Sequence, residues 1–365
     1  MKNVFIVSDF CAPYPGNFVA SLKELEARMS SDCHFYYFFR QSESEPFLSW
    51  YRKFSIGREC CLISFDSDGS RKLAGKINQN KPFLICFHFG GLSFPYKVYR
   101  LCSKEAKKVC RFLIHVHSNP SFHKGAVPAV KRFFAKILCP KSFSFIACSQ
   151  EISKLLSRQY KKQKIFLNPN GIDKSRLFFS PGKMIPENSH IAIMFGYDYF
   201  VKGVDIAASI AEKYYRVDPK FHLYIVAARC QDEIRNKLQR SYPNFNESIS
   251  IISPRQNVRE IYDLASVYLL CSRTEGLPYS VLEASYSGLS VVASDLPCLK
   301  TTPAIPRLFK FSVGDTHMAA ALLKKCFDTP VGEMVTETSF EPFSLSAWAQ
   351  RESDIMEETN HDEVK

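Results

Sequence analysis

The chain has 365 residues, of which 46% are hydrophobic and 23% are charged. These are ordinary globular proportions, and they exclude an intrinsically disordered chain, a collagen-like chain and a coiled coil. The longest stretch without a charged residue is 82–96. A membrane span needs about 18 apolar residues or more, so we predict no transmembrane helix.

The charge is distributed unevenly along the chain, whose net charge is +12. Residues 1–185 contain 30 basic and 12 acidic residues, whereas residues 186–365 contain 18 and 24. Residues 97–183 alone contain 19 basic and 3 acidic residues. This asymmetry indicates two domains with different partners, and a basic half suits an anionic substrate, an anionic membrane or nucleic acid.

Thirteen cysteines are spread over the sequence without a CxxC pair, and the N-terminus does not resemble a signal peptide. We therefore expect reduced thiols and a cytoplasmic location. A structural zinc site built on cysteines is not expected.

Short apolar runs alternate with helix-like segments along nearly the whole chain. Most runs are continuously apolar, which is typical of parallel strands that are covered on both faces. The predicted strands are 4–8, 35–39, 62–65, 83–89, 112–117, 143–148, 165–168, 191–195, 221–227, 249–252, 267–271, 290–294 and 308–311. Segments 152–160, 204–214 and 258–265 are examples of predicted helices. The alternation predicts a doubly wound α/β fold.

Residues 180–189, SPGKMIPENS, are rich in proline, glycine and polar residues, and the charge reverses there. A new alternation of strands and helices follows. We therefore predict two Rossmann-like domains, 1–183 and 188–342, that face each other across a cleft. The tail at 343–358 is a further predicted helix.

Residues 271–295, CSRTEGLPYSVLEASYSGLSVVASD, predict a strand, a loop, a helix and a second strand. Pro278 suits the first turn of this helix and Gly288 its C-terminal cap. The free N–H groups of a helix N-terminus suit phosphate. Glu283 is able to accept two hydrogen bonds from a sugar diol, and Glu275, before the helix, can reach hydroxyls beyond the phosphates. The segment suits a nucleotide diphosphate that carries a sugar.

Two glutamates at this spacing occur about once by chance in a chain of this length, so the spacing alone leaves an ordinary exposed helix as the alternative. The whole string, however, resembles the E-x7-E signature of the retaining family-4 glycosyltransferases, which have the GT-B fold. The positions that fit are Glu275, Gly276, Pro278, Glu283, Ala284, Gly288, Val291 and Val292. The resemblance implies that Glu275 is catalytic and that the donor is bound by Glu283, Gly276, Leu277, Pro278 and Tyr279.

Residues 195–203, FGYDYFVKG, resemble the family's Gly-Arg…Lys-Gly loop. Gly196, Lys202 and Gly203 match it, and Gly196 and Lys202 are expected to bind the donor. A lysine there neutralises the diphosphate and supports the leaving group. Tyr197 replaces the family's usual arginine, which leaves one cation fewer. Residues 168–173, NPNGID, resemble another family turn, to which we assign no chemistry.

Residues 112–120, FLIHVHSNP, resemble the family's histidine loop on the first domain. The resemblance implies that His117 faces the donor sugar as a catalytic residue. His115 and His117 share one face of a strand, which also suits a metal pair, but no third ligand is apparent and we expect no metal site. His88 is expected to be structural. Gly16 follows the first strand, where the family has a glycine-rich loop, and is a predicted donor-binding position.

Residues 127–138, VPAVKRFFAKIL, form a basic amphipathic stretch. Its apolar face suits packing on the sheet. Its cations, Lys131, Arg132 and Lys136, suit an anionic leaflet, at about 1 kcal/mol for each cation near the surface.

Together with the resemblance, these features imply a retaining hexosyltransferase that moves a sugar from a nucleotide-diphosphate sugar, expected to be a UDP-sugar, to a glycan or lipid-linked acceptor. The resemblance also implies that the first domain holds the acceptor, that the helix at 343–360 completes this domain, and that no cofactor or obligatory metal takes part. We expect a peripheral protein of the inner membrane face that acts in cell-surface polysaccharide biosynthesis.

Two alternatives remain open. The first is a nucleotide-sugar epimerase with the GT-B fold. The second is a basic nucleic-acid-binding protein, but nothing resembles a helix-turn-helix, an RRM or a zinc finger, so we expect no nucleic-acid partner.

Overall fold

The computed structural model describes residues 1–89, 91–118, 139–181, 190–228, 230–300, 304–328 and 335–361. The chain divides into two units, Met1–Gly171 with Leu345–Lys365, and Ile172–Ser344. The predicted basic amphipathic stretch, with Lys131, Arg132 and Lys136, lies outside the described residues, as does segment 182–189.

The first unit is built on a parallel sheet of seven strands. They are β1 (Lys2–Ser8), β2 (Cys33–Arg40), β3 (Glu59–Ile63), β4 (Leu84–His88), β5 (Arg111–Val116), β6 (Phe143–Ala147) and β7 (Ile165–Leu167), in the order β3-β2-β1-β4-β5-β6-β7. The described helices of this unit are Gly16–Met29, Glu45–Ser55, Ser67–Asn80, Ser93–Leu101, Lys104–Val109, Gln150–Gln159 and Leu345–His361. Every residue of β4 is buried, as expected of a central parallel strand.

The second unit has a parallel sheet of six strands. They are β8 (His190–Phe195), β9 (Phe221–Val226), β10 (Ile249–Ile252), β11 (Val267–Leu270), β12 (Ser290–Ser294) and β13 (Leu308–Phe311), in the order β10-β9-β8-β11-β12-β13. The described helices are Val204–Tyr215, Gln231–Ser241, Phe245–Ser248, Arg259–Tyr262, Tyr279–Tyr286, Pro297–Lys300 and Thr316–Asp328, with 3-10 helices at Lys174–Arg176 and Glu337–Phe343. Counted within the unit, this is the strand order 3-2-1-4-5-6 of Rossmann domains, so the predicted doubly wound fold is confirmed.

The helix predicted at 258–265 is shorter than expected, since only Arg259–Tyr262 is helical. The backbone N–H of Ser266 donates to the carbonyl of Ile191 at 3.1 Å. The chain must therefore turn after Tyr262 in order to enter β11 beside β8.

The boundary between the units differs from the predicted one at 183–188. It lies between Gly171 and Ile172. Ile172 forms a parallel bridge with Ser344, and its N–H donates to the carbonyl of Phe343 at 2.7 Å. These contacts join the start of the second unit to its end. The Pro- and Gly-rich segment 180–189, on which the predicted boundary was based, therefore comes after the observed boundary in the sequence.

The helix Leu345–His361 belongs to the first unit. Arg28 of the helix Gly16–Met29 donates hydrogen bonds to Gln350 and Ser346. Trp348 and Met356 are buried in the core that also contains β1, β2 and β4. The C-terminal helix therefore supplies part of the apolar core of the first unit.

Two further properties of the described residues are relevant to function. All thirteen cysteines lie among them, and all are free thiols. No described helix combines the length and the apolar character that crossing a bilayer requires.

Candidate functional site

In the second unit the strand order changes direction between β8 and β11, which pair directly. Ligands of open α/β sheets bind at such a switch point, beyond the carboxyl ends of the strands. Two loops begin there, residues 196–203 after β8 and residues 271–278 after β11. They contain Lys202 and Glu275, so the structure brings together two predicted site residues from distant parts of the sequence.

Two glycines allow these loops to pack closely. Gly203 has a φ of +65°, and a Cβ atom there would lie 2.1 Å from the carbonyl oxygen of Cys271. A Cβ atom on Gly196 would lie 2.7 Å from a methyl carbon of Ile225. Close packing inside this unit therefore explains why both positions of the predicted loop motif are glycine.

Arg273 joins the two loops and was not among the predicted site residues. Its backbone N–H donates to the carbonyl of Val201 at 2.8 Å, and its Nη1 donates to the carbonyl of Phe200 at 2.6 Å. The guanidinium also donates to both carboxylate oxygens of Asp205, at 2.9 and 2.6 Å. Burial raises the pKa of Asp205, but the hydrogen bonds and charge of Arg273 outweigh it and hold the pKa below its ordinary value.

Lys202 and Glu275 form an ion pair with a distance of 2.6 Å between Nζ and Oε1, and their side chains are 9% and 13% exposed. Ser272 donates its hydroxyl to the same carboxylate oxygen at 2.6 Å. The Lys202 ammonium also lies 4.5 Å from the ring centre of Tyr197. Burial alone lowers the pKa of Lys202, but Glu275 and Tyr197 raise it above its ordinary value, so the ammonium stays charged.

Glu283 lies in the helix Tyr279–Tyr286 and is 6% exposed. Its Oε2 accepts a hydrogen bond from the hydroxyl of Tyr262 at 2.7 Å, and its Oε1 lies 3.6 Å from Nη1 of Arg176. Burial and the nearby carboxylate raise the pKa of Tyr262 well above its ordinary value. Two protein side chains therefore already contact the carboxylate that was expected to hold a sugar diol, and neither Tyr262 nor Arg176 was predicted.

The loop and helix around these glutamates differ little from expectation. Pro278 is the N-cap rather than a residue of the first turn, because the helix begins at Tyr279. Gly276, Leu277 and Pro278 are buried and Tyr279 is partly buried. Gly288 follows the helix with a φ of +81°, which agrees with its predicted capping role.

The other two predicted site residues, Gly16 and His117, belong to the first unit. Gly16 has a φ of +56° and begins the helix Gly16–Met29, and a Cβ atom there would meet nothing within 4 Å. Only its backbone conformation favours glycine.

His117 follows β5 and lies against two other histidines. Its Nε2 is 3.1 Å from Nδ1 of His88, and its ring stacks on that of His115 with centres 4.4 Å apart. Nε2 of His88 lies 3.3 Å from the sulfur of Cys86. Burial, followed by the neighbouring histidines, lowers the pKa of His88 and of His117 well below the ordinary value.

The expectation that no third ligand accompanies His115 and His117 is wrong, because His88 offers a third imidazole. The signal was present in the sequence: His88 is the second-last residue of the predicted strand 83–89, and the next predicted strand along the chain is 112–117. In the parallel sheet β4 and β5 are neighbours, and His88 is paired in register with His115.

Glu352, on the C-terminal helix, is fully buried, and its Oε2 lies 3.5 Å from Nε2 of His115. The same oxygen accepts a hydrogen bond from Nδ2 of Asn168 at 2.7 Å. Arg351 donates from Nε to Oδ1 of Asn168 at 2.9 Å. Asn168 belongs to the NPNGID turn, so this turn holds the C-terminal helix beside the histidines.

The second unit contains a segment that matches a known protein family. The profile of the family described as Glycosyl transferases group 1 matches residues 190–321. An uncharacterized glycosyltransferase of Haemophilus influenzae is 28% identical over 170 residues, 46% of this chain and 45% of the relative. The Campylobacter jejuni GalNAc-alpha-(1->4)-GalNAc-alpha-(1->3)-diNAcBac-PP-undecaprenol alpha-1,4-N-acetyl-D-galactosaminyltransferase is 23% identical over 185 residues, 50% of this chain and 48% of the relative. The match thus spans about half the length of these curated relatives.

Several solved structures are similar over nearly the whole chain. A glycosyltransferase from Rickettsia africae has a TM-score of 0.74 at 14% identity and covers 99% of this chain and 98% of its own. Anabaena Alr3699/HepE in complex with UDP has a TM-score of 0.74 at 13% identity, with coverages of 98% and 100%. The sucrose-phosphate synthase of Thermosynechococcus elongatus has a TM-score of 0.74 at 14% identity, with coverages of 98% and 99%. The chain therefore has the GT-B fold of two Rossmann-like domains, and its matches support a glycosyltransferase of the group 1 type.

Proposed function

We propose that this chain is a retaining glycosyltransferase that moves a sugar from a nucleotide-diphosphate sugar to a glycan or lipid-linked acceptor. The observation that carries the proposal is the Lys202–Glu275 ion pair, which lies at the switch point of a unit that matches the group 1 profile. We propose UDP as the nucleotide, since the similar Anabaena protein binds UDP. Retention is proposed because the E-x7-E string resembles that of retaining enzymes.

In this proposal the second domain holds the donor. The diphosphate takes the ammonium of Lys202 as its counter-charge, and the N-terminus of the helix Tyr279–Tyr286 adds N–H groups. Glu283 accepts hydrogen bonds from the ribose diol. The remaining proposed donor-binding positions of this domain are Gly196, Gly276, Leu277, Pro278 and Tyr279. Gly16, of the first domain, is proposed as a further position. We propose no metal for the departing diphosphate, because Lys202 supplies the cation.

Glu275 and His117 are proposed to act on the transferred sugar. When the diphosphate draws Lys202 away, the Glu275 carboxylate becomes available to sugar hydroxyls. His117 is proposed to hydrogen-bond the same sugar.

The acceptor is proposed to be lipid-linked or a growing surface polysaccharide. The name of the Campylobacter relative describes an acceptor attached to undecaprenol through a diphosphate. Such an acceptor lies at a membrane surface, where a basic first domain is favoured.

Incubation with a panel of nucleotide sugars tests the proposal, with release of free nucleotide diphosphate measured with and without lipid-linked acceptors. We expect acceptor-dependent release from a UDP-sugar and, by NMR of the product, an unchanged anomeric configuration. The Glu283→Gln variant is the matched control, and we expect it to release less nucleotide diphosphate at a limiting donor concentration. Conversion of the donor to an epimer without acceptor would instead support the alternative epimerase.

We also propose that the first domain binds an anionic membrane surface. On the helices Ser93–Leu101 and Lys104–Val109, the apolar side chains of Leu101 and Val109 are 47% and 53% exposed. Arg100, Lys104 and Lys108 are exposed beside them. Apolar side chains interleaved with cations suit the headgroup region of an anionic bilayer.

Co-sedimentation with vesicles of varied anionic lipid content tests this surface. Binding should rise with anionic lipid, fall at about 0.5 M salt because charges are screened, and weaken when Arg100 and Lys104 are both changed to Gln. The matched control changes Lys324 and Lys325 of the second unit to Gln, which removes the same charge. Equal binding by the two double variants would contradict the proposed surface.

A further inference from the structure

Three imidazoles lie close together in the first unit, at the carboxyl ends of the neighbouring strands β4 and β5. His115 and His117 are two residues apart and so lie on the same side of the sheet. His88 is the register partner of His115 on the neighbouring strand. One ligand-capable atom from each of the three histidines lies within 4.8 Å of the other two.

Several polar atoms of this cluster have no hydrogen-bond partner. They are both ring nitrogens of His115, Nδ1 of His117 and Oε1 of Glu352, and all of them are buried. A buried polar atom without a partner costs free energy, and such atoms are rare in native structures. Their concentration around three imidazoles indicates that the cluster binds an ion or a polar group, which would supply the missing partners.

Glu352 supplies the charge and the orientation that such a group needs. Its carboxylate is fully buried, 3.5 Å from Nε2 of His115. The neighbouring Arg351 directs its guanidinium to Asn168 and to the carbonyl of Pro169 instead. Histidines that bind metal ions commonly place their other ring nitrogen against a carboxylate, which fixes the orientation of the ring. His115 therefore has one nitrogen beside a carboxylate and the other, Nδ1, free for an ion.

We propose that His88, His115 and His117 bind one zinc ion in the first unit, with Glu352 orienting His115. Three histidines with an open fourth position form a known type of zinc site, and imidazole suits this metal. Zinc–nitrogen distances of about 2.0–2.1 Å place tetrahedral ligands about 3.3 Å apart. One pair, Nδ1 of His88 and Nε2 of His117, is already 3.1 Å apart. All three ligand atoms lie within 4.8 Å of one another, so a small rotation of a ring is enough to complete the site.

The site shares His117 with the proposed sugar-transfer machinery, so its test measures metal uptake and does not depend on an active enzyme. The full chain is stripped with a chelator, and its uptake of Zn²⁺ is measured by equilibrium dialysis and elemental analysis. Co²⁺ serves as a coloured substitute. Because Cys61 and Cys230 are exposed thiols that bind metal ions, both are changed to Ser in every sample. We expect one equivalent of Zn²⁺ and a tetrahedral Co²⁺ spectrum without a thiolate charge-transfer band.

Three variants decide where the ion binds. His115→Gln should abolish uptake, and Glu352→Gln, which keeps all three imidazoles, should weaken affinity about 10- to 100-fold. His222→Gln is the matched control and should keep one equivalent, since both of its ring nitrogens already have partners in Ser250 and the carbonyl of Glu247.

If His115→Gln fails to fold, the parent protein and Glu352→Gln still decide the question. Uptake of less than one equivalent by the folded parent, unchanged affinity in Glu352→Gln, or a thiolate band with Co²⁺ would overturn the proposal.

Discussion

The ammonium of Lys202 lies 2.6 Å from Oε1 of Glu275, although 73 residues separate them in the sequence. The two loops meet because β8 and β11 are neighbours in the sheet and because Gly203 lets the backbone approach Cys271. One side chain is a cation suited to a diphosphate and the other a carboxylate suited to a sugar. The ion pair therefore neutralises both charges where they are largely buried.

Removal of one charge of this pair should destabilise the second unit. Glu275→Gln leaves the Lys202 ammonium buried without a counter-charge, which costs about 3 kcal/mol, as for other broken buried pairs. The double variant Lys202→Met with Glu275→Gln should recover part of this loss. Urea unfolding of the parent, of Glu275→Gln and of the double variant measures the three free energies of unfolding. Equal stability of Glu275→Gln and the parent would contradict the expected cost.

The same glutamate and His117 should affect turnover rather than nucleotide binding. Glu275→Gln and His117→Asn should each lower kcat without a loss of affinity for the nucleotide diphosphate, because neither side chain is proposed to contact the nucleotide. Kinetics and calorimetric titration with UDP separate the two effects. A parallel loss of UDP affinity would assign the residue to the nucleotide instead.

Glu283 should control nucleotide affinity. Glu283→Gln should weaken binding of the nucleotide diphosphate by about 1.5–3 kcal/mol, the scale of hydrogen bonds to a charged group. Tyr262→Phe removes the hydroxyl that donates to Oε2 of Glu283 but keeps the carboxylate, so it should have a smaller effect. Titration with UDP measures both, and an unchanged affinity in a folded Glu283→Gln variant would remove this residue from the site.

Gly203 should tolerate no side chain. Gly203→Ala places a Cβ atom 2.1 Å from the carbonyl oxygen of Cys271 at a positive φ, so the backbone of one loop must move. We expect the free energy of unfolding to fall by more than about 4 kcal/mol, which is the range of the most destabilising single substitutions. Gly314→Ala is the matched control: its φ is +87° but nothing lies within 4 Å, so only about 1–2 kcal/mol should be lost. Similar melting temperatures for the two variants would contradict the close approach.

The Arg273–Asp205 pair should make the second unit sensitive to acid. The pKa of Asp205 is lowered in the folded state, because the effect of Arg273 exceeds that of burial. Such a group adds stability above its unfolded pKa, near 3.8, and this stability is lost as the pH falls through the lower folded pKa.

Between about pH 5 and pH 3, the parent should therefore lose more stability than Asp205→Asn, in which this carboxylate is absent. Asp232→Asn, at an exposed helix position, should follow the parent. Melting temperatures over this pH range measure the difference. A parent and an Asp205→Asn variant with the same acid dependence would remove the pair as the cause.

The fold was largely predictable, because parallel strands buried on both faces are continuous apolar runs in the sequence. The predicted strands 249–252 and 290–294 coincide with β10 and β12. The errors lie where a tertiary contact intervenes. Pairing of Ser266 with Ile191 shortens a helix, and the bridge of Ile172 with Ser344 moves the boundary between the units.

The candidate site was predictable only where a residue belongs to a local sequence motif. Glu275 and Glu283 belong to such a stretch, whereas Arg273 mattered only once Asp205 and the carbonyl of Phe200 were found beside it. Glu352 is an ordinary glutamate in the sequence and became notable through its burial beside His115.

By itself, the sequence determined the two series of alternating strands and helices, the glycines at the loops and the helix that carries Glu283. These depend on periodicity and backbone preference, which act over a few residues. Only the tertiary structure decided which distant side chains meet: Lys202 with Glu275, Tyr262 with Glu283, and His88 with His115 and His117. Strand order and register bring these groups together, and no sequence period relates residues that become neighbours through the pairing of separate strands.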